Sequence, residues 1–166
     1  MIVTWLPSWL STDLSLISGF LTWIVVLSWL WRSGWKIQRR YFIEATQKPL
    51  TRNAIVWSAG IVGAIFFVAA QMRPGMPGVM TVAMIGALSA YVDARTHRLP
   101  NAYTVAMGIG VVLGVIVGGV ISPLWQDRLL GALIGALIWF VPIALLNRLP
   151  GGMGGGDVKL APVLGA

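Results

Sequence analysis

The sequence predicts an all-α fold: a polytopic membrane helix bundle of five transmembrane helices plus the start of a sixth, forming a single integral membrane domain over residues 1–166. Hydrophobic residues make up 57% of the chain, only 10% of its residues are charged, and its mean hydropathy is +0.82. A water-soluble domain of this composition would expose far more apolar surface than such domains tolerate. The chain is therefore expected to reside in a membrane.

Five apolar runs approach the length that crosses about 30 Å of hydrocarbon, which takes roughly 20 helical residues. In chain order we predict helices at 14–31, 53–71, 78–92, 102–121 and 128–146, followed by a last run that begins at Asp157. The first run has no basic residue before it and no cleavage site of small residues after it, so we expect a retained helix. The third run is short, and we expect it to end early in a polar loop.

Basic residues in the connections predict which helix ends face the cytoplasm, because short loops rich in Lys and Arg stay on that side. The connection 32–52 carries six of them, and the segment before the first helix carries none. Later connections alternate between low and high counts, as five crossings require. We therefore predict a multi-pass protein of the cell inner membrane with its N-terminus outside. Its basic loop at 32–52 and its loops at 93–101 and 147–157 would be cytoplasmic.

The composition also argues against several classes of function. The net charge of +7 could indicate a nucleic-acid partner, but the twelve Lys and Arg lie largely in short connections, where they orient helices. We therefore expect the lipid bilayer as a partner and no nucleic acid. The chain has no cysteine, which removes thiolate metal sites and a cysteine nucleophile. We predict neither a metal nor a cofactor, and the sequence does not indicate an oligomeric state.

Two aspartates, Asp93 and Asp157, lie at the ends of apolar runs in a chain with only five acidic residues. Carboxylates at a bilayer boundary are costly unless they serve a function, and the charge pattern puts both on one side. Each also has an ordinary interpretation: Asp157 as the N-cap of the last helix, and Asp93 as a solvated loop residue. His97, the only histidine, is interpreted as a hydrated loop residue in preference to a proton carrier.

The residues around these aspartates form two motifs. The first motif consists of Asp93 and, at the end of the loop that follows it, Leu99, Pro100 and Asn101. The second motif consists of Gly154, Gly155, Gly156, Asp157 and Lys159. Pro100 can begin a helix because its missing N–H is not needed there. The glycines permit backbone angles closed to other residues and leave room for an extended substrate beside Asp157.

Together the two motifs resemble those of the type IV prepilin peptidases, bacterial aspartic proteases of membranes, and especially the small forms associated with tight-adherence pili. In that family one catalytic aspartate opens a loop that ends in Ile or Leu, Pro, and Asp or Asn. The other belongs to a Gly-x-Gly-Asp motif followed by x-Lys. Presenilin-type proteases share the second motif but lack the first at this spacing.

The resemblance implies that Asp93 and Asp157 are catalytic. It also implies a set of substrate-binding or loop-forming residues: Gly154, Gly155, Gly156, Lys159, Leu99, Pro100 and Asn101. The implied substrate is a prepilin or pseudopilin, whose basic leader is removed at the cytoplasmic membrane face. Larger family members carry a cytoplasmic domain with paired Cys-x-x-Cys motifs, which this chain lacks, so we do not predict methyltransferase activity.

The last run raises a separate expectation about the length of the chain. Only nine residues follow Asp157, and as a helix they span about 14 Å, or half a bilayer. Members of the resembled family continue with one or more complete helices. We therefore expect a C-terminal truncation, which would affect activity more than fold.

Two carboxylates that share one proton can activate water against a peptide carbonyl without a metal. The predicted helix ends suggest Asp157, at an N-terminus, as the resting base and Asp93, at a C-terminus, as the resting acid. Two other classes of function stay open: an inactive or truncated relative that only binds leaders, and a small transporter of protons or cations. Transport would favour acidic groups at the bilayer midplane and often inverted repeats, and this sequence shows neither.

Overall fold

Seven α-helices and one π-helical turn build the protein, as given by a computed structural model that describes residues 8–69, 76–121, 125–149 and 155–166. The helices are α1 (Ser8–Trp29), α2 (Trp35–Glu44), α3 (Arg52–Ala69), α4 (Met76–Thr96), α5 (Asn101–Ile121), α6 (Trp125–Leu146) and α7 (Gly155–Gly165). The π-helical turn (Leu30–Gly34) joins α1 to α2. Within these ranges there is no strand, and five helices are long and apolar enough to cross a membrane. The predicted fold class is confirmed.

Helix α4 lies at the centre of the bundle and packs against α1, α3 and α5. Its buried face repeats every four residues through Met76, Met80, Met84 and Leu88, none of which is more than 5% exposed. Unbranched methionine side chains suit this position because they fill irregular gaps between helices. By contrast, the membrane-crossing part of α6 has no buried residue. Its apolar side chains face outward, where lipid takes the place of water.

Helices α4 and α5 form a tightly packed antiparallel pair. A Cβ atom on Gly110 would overlap the side chain of Thr81, so the glycine is what lets the two helices approach closely here. Nearer the other end of the pair, a Cβ atom on Gly86 would lie 3.7 Å from Met107 Sδ. These two contacts define the register of the pair, that is, which residues of α4 and α5 face each other.

The first transmembrane helix continues beyond its predicted end, and the prediction of a loop over 32–52 is wrong for residues 32–44. The chain stays helical as far as Glu44. Buried residues of this segment are spaced by four: Leu30, Gly34, Gln38 and Phe42. In a plain α-helix of 3.6 residues per turn a four-residue spacing drifts around the axis, and the wider π-helical turn corrects this drift. These residues therefore stay on the buried side of the segment, which packs against α3 and α4, and the basic residues between them remain exposed.

Two of the other differences from the predicted boundaries concern the aspartates. Helix α4 has 21 residues and ends at Thr96, so it is not short, and Asp93 lies in its last turn instead of beginning a loop. In this last turn the Thr96 hydroxyl donates a hydrogen bond to the Val92 carbonyl oxygen at 2.8 Å, which gives the buried hydroxyl a partner. Helix α7 begins at Gly155, two residues before Asp157.

Tyr103 ties the π-helical turn to the start of α5. Its side chain is fully buried, and its hydroxyl donates a hydrogen bond to the Gly34 carbonyl oxygen at 3.0 Å. The ring also packs edge-on against Trp29, with 5.9 Å between ring centroids. A buried carbonyl needs such a partner because it has lost its hydrogen bonds to water. Tyr103 thus fixes the N-terminal arm, defined as the continuous helical segment Ser8–Glu44, against α5.

Replacing Tyr103 with phenylalanine should lower the free energy of unfolding by about 1–3 kcal/mol, because the ring remains while the Gly34 carbonyl loses its partner. Denaturant unfolding of the detergent-solubilised protein would measure the loss. Tyr91→Phe is a matched control, since Tyr91 stacks on Phe42 through its ring, and its effect should stay within about 0.5 kcal/mol. Equal losses in both variants would contradict the role of the Tyr103 hydroxyl.

Candidate active site

The first motif begins in the last turn of α4, where the Asp93 side chain is exposed. The helix ends because the chain turns at His97, whose φ angle is 51°. The His97 N–H donates a hydrogen bond to the Asp93 carbonyl oxygen at 2.8 Å, as in a helix end closed by a left-handed residue. A positive φ is uncommon in residues other than glycine. His97 therefore contributes to this site through its backbone conformation.

The end of α4 is also held by the chain that follows α2. The last carbonyl groups of a helix lack partners within the helix, and Gln47 Nε2 donates a hydrogen bond to the Arg95 carbonyl oxygen at 2.6 Å. An ion pair joins Arg98 Nη1 to Glu44 Oε2 at 3.3 Å. Both ion-pair partners are exposed, so their contribution to stability is small. The Gln47 hydrogen bond and this ion pair both link the segment to the first motif.

The end of the first motif starts α5. Pro100 is buried, and its carbonyl oxygen accepts hydrogen bonds from the N–H groups of Tyr103 at 2.9 Å and Thr104 at 3.3 Å. Proline fits here because the first N–H groups of a helix need no partner within it. Asn101 is the first residue of α5, and its side chain is exposed. This places the Asn101 amide at the surface of the bundle.

The second motif opens α7, and Asp157 lies in its first turn with an exposed side chain. Gly154 is outside the residues described, and Gly155 and Gly156 begin the helix. A Cβ atom on Gly156 would lie 2.9 Å from Leu99 Cβ, closer than real Cβ contacts, whereas one on Gly155 would meet nothing within 4 Å. Gly156 is therefore needed for the contact with the first motif, and Gly155 is not.

A hydrogen bond completes the contact between the motifs: Lys159 Nζ donates to Asn101 Oδ1 at 3.0 Å. The two motifs thus meet at one end of the bundle, which we call the motif end. Neither the Asp93 nor the Asp157 carboxylate has a hydrogen-bond or ion-pair partner among the residues described. Both remain open to solvent. The sharing of one water molecule between them stays a prediction.

Two supporting residues, Gln47 and Glu44, have no counterpart in the sequence-based prediction of the site. They lie 48 and 54 residues before their partners Arg95 and Arg98. No local pattern links residues so far apart in the chain. The only sequence signal in this region is the four-residue spacing of Gly34, Gln38 and Phe42, which indicates that a helix continues into it.

A cavity of about 550 Å³ lies away from the motif end, among α4, α5, α6 and α7. Its walls are mainly apolar, with Arg128 as the charged residue among them. Neither aspartate of the two motifs lines it, so this cavity offers no acid–base chemistry. Among the residues that the structure describes, no three His, Cys, Asp or Glu side chains are grouped so that they could hold a metal ion.

The fold and the site together define the class of the protein: it is a multi-pass membrane helix bundle that joins two aspartate motifs at one end. The model of the type IV leader peptidase family matches residues 79–166, more than half of the chain, and the chain belongs to this family. It is therefore a peptidase of the leader-peptidase type, as the sequence motifs predicted. The matched region includes both motifs and excludes the N-terminal arm. A comparison with curated proteins found no match, and a comparison with solved structures found none either.

Substituting alanine for Gly156 should separate the two motifs, because the added Cβ would overlap Leu99, and overpacking of this kind costs about 1–3 kcal/mol. Since the chain has no cysteine, Asn101→Cys and Lys159→Cys can report the contact through a short bifunctional thiol reagent. Adding Gly156→Ala to this pair should slow cross-linking by roughly tenfold. Gly155→Ala, at the neighbouring open position, should leave the rate unchanged. Equal slowing by both alanines would refute the Gly156–Leu99 contact.

Proposed function

We propose that the chain is a membrane-embedded aspartic endopeptidase in which Asp93 and Asp157 form the catalytic pair. Its substrate would be a prepilin or pseudopilin whose basic leader is removed at the cytoplasmic membrane face. The observation that carries the proposal is the Lys159–Asn101 hydrogen bond, which joins the two aspartate motifs in a chain of the type IV leader peptidase family. Membership in a peptidase family favours this function over transport.

The proposed reaction is hydrolysis of the peptide bond after the leader. The ionised carboxylate takes a proton from water as the water oxygen attacks the peptide carbonyl carbon, and the protonated carboxyl group donates its proton to the carbonyl oxygen. When the carbon–nitrogen bond breaks, the leaving nitrogen takes up the proton held by one aspartate, and a hydroxyl group of the tetrahedral intermediate gives its proton to the other aspartate. The carboxyl group of the leader and the amine of the mature protein are released, and the two aspartates end with the one proton with which they began.

The helix ends that carry the two aspartates support a division of roles. Asp157 lies in the first turn of α7, where free N–H groups and the helix dipole favour a negative charge. Asp93 lies in the last turn of α4, where the dipole has the opposite effect. We therefore assign Asp157 as the resting base and Asp93 as the resting acid.

The charge around the motif end bears on orientation and on the leader. Lys36 and Arg39 on α2 are exposed and belong to the segment that supports the first motif, so the preference of basic residues for the cytoplasmic side favours a cytoplasmic motif end. These cations do not attract a basic leader. In this proposal the two aspartates supply part of the negative field that does, while the bilayer holds the apolar helix of the substrate.

Asparagine at Asp93 or at Asp157 should lower cleavage of a co-expressed prepilin by at least about 100-fold, because either change removes a proton-transferring group. Conversion of prepilin to mature pilin on a gel measures the loss. Asp127→Asn is the matched control, since Asp127 lies in the first turn of α6 and belongs to neither motif. Unimpaired cleavage in both motif variants would end the proposal, and leader binding without cleavage by the unchanged protein would identify an inactive relative.

The resting proton of the pair should reside on Asp93. Infrared spectroscopy of the purified protein would then show a protonated carboxyl band that disappears in Asp93→Asn. The band should not disappear in Asp127→Asn, which again leaves both motifs intact. A band that Asp157→Asn removes while Asp93→Asn leaves it in place would put the proton on Asp157 and reverse the assigned roles.

A further inference from the structure

Four buried polar atoms have no hydrogen-bond partner in the part of the chain that the structure describes: Gln38 Nε2, Gln38 Oε1, Ser89 Oγ and Thr104 Oγ1. Gln38 is 0% exposed, Ser89 1% and Thr104 7%. Most buried polar groups in proteins are paired, and each exception calls for an explanation. Thr81 shows the usual solution, since its hydroxyl donates to the Pro77 carbonyl oxygen one turn earlier at 2.7 Å.

The register of the α4–α5 pair brings two of these residues to opposing positions. Gly86 of α4 packs beside Met107 of α5. Ser89 lies three residues after Gly86, and Thr104 lies three residues before Met107. Because the two helices are antiparallel and residues three apart share a helix face, Ser89 and Thr104 occupy opposing positions.

Gln38 reaches the same level of the bundle from the N-terminal arm. It lies one turn after Gly34, whose carbonyl binds Tyr103, and one turn before Phe42, which stacks on Tyr91. Tyr103 is the neighbour of Thr104, and Tyr91 lies two residues after Ser89. Contacts on both sides of Gln38 therefore place it beside α4, at the level of the two hydroxyls.

We propose that Gln38, Ser89 and Thr104 form one internal site that binds water. The amide supplies donors and an acceptor, and each hydroxyl can do either. All three side chains are uncharged, so nothing in the trio favours a cation or an anion. An internal water typically takes two to four polar partners, which is what this trio offers. The bound water connects the N-terminal arm to the α4–α5 pair behind the first motif. The proposal does not depend on the proposed function.

If the three residues share one site, the effects of substituting them on the thermal unfolding midpoint should not be additive. Gln38→Leu, Ser89→Ala and Thr104→Val should each lower the thermal unfolding midpoint by about 3 °C or more, because each leaves the other groups less well paired. The triple variant removes every polar group at once and should unfold within about 2 °C of the unchanged protein. Additive losses, with the triple variant the least stable, would overturn the proposal.

Thr81→Val is the matched control for this coupling, because the Thr81 hydroxyl is paired within its own helix. Its effect should add to that of Gln38→Leu without coupling, as for independent sites. Coupling of Thr81→Val as large as that of Thr104→Val would show a general response of the core, and would likewise overturn the shared site.

Infrared difference spectra of the protein in H2¹⁸O and H2¹⁶O test for the water itself. The unchanged protein should show a narrow O–H stretching band that shifts with the oxygen isotope, and the triple variant should lack it. This comparison stands even where a single variant does not fold. If the residues couple but no isotope-sensitive band is lost, the side chains bond directly to one another and the water site is refuted.

Discussion

The motif end depends on the close approach of α7 to the bundle. At two points the helix lies so near its neighbours that only a glycine, which has no side chain, fits there. At one end of this 11-residue helix Gly156 lies against Leu99, and at the other the Gly165 carbonyl contacts Gly135 of α6. A helix this short has little stability of its own, so its position is set by packing. The contact between Gly165 and Gly135 joins two backbones directly, and only glycine allows such a contact. The glycines of α6 are therefore not equivalent, since a Cβ atom on Gly131 would meet nothing within 4 Å.

The first motif depends on a different part of the chain. The family match covers residues 79–166 and includes both aspartates, yet the end of α4 receives a hydrogen bond from Gln47, and Tyr103 of α5 donates one to Gly34. Both partners lie in or just after the N-terminal arm. The matched region thus relies on the preceding helices to hold its first motif, whereas the second motif is held by contacts within the matched region.

The sequence predicted the spans and the meeting of the motifs better than it predicted where helices end. Long apolar runs report burial in lipid directly, so five spans could be predicted from composition and length. The basic residues of 32–52 predict a loop, but exposed cations are compatible with a helix that buries Gln38 and Phe42 on one side. The π-helical turn and the role of Gln47 follow from tertiary contacts that no local pattern encodes.

The end of α4 and the start of α7 differ in whether their backbone hydrogen-bonding groups already have partners. At the end of α4 the carbonyls of Asp93 and Arg95 are already occupied by His97 and Gln47. At the start of α7 the first N–H groups have no partner within the helix, and Gly155 has open space beside it. Under the proposed mechanism, the start of α7 offers an extended peptide N–H donors beside Asp157. Preorganised N–H groups stabilise negative charge that develops on a carbonyl oxygen. The open, glycine-lined start of α7 therefore suits peptide binding, and the capped end of α4 suits a fixed carboxyl group.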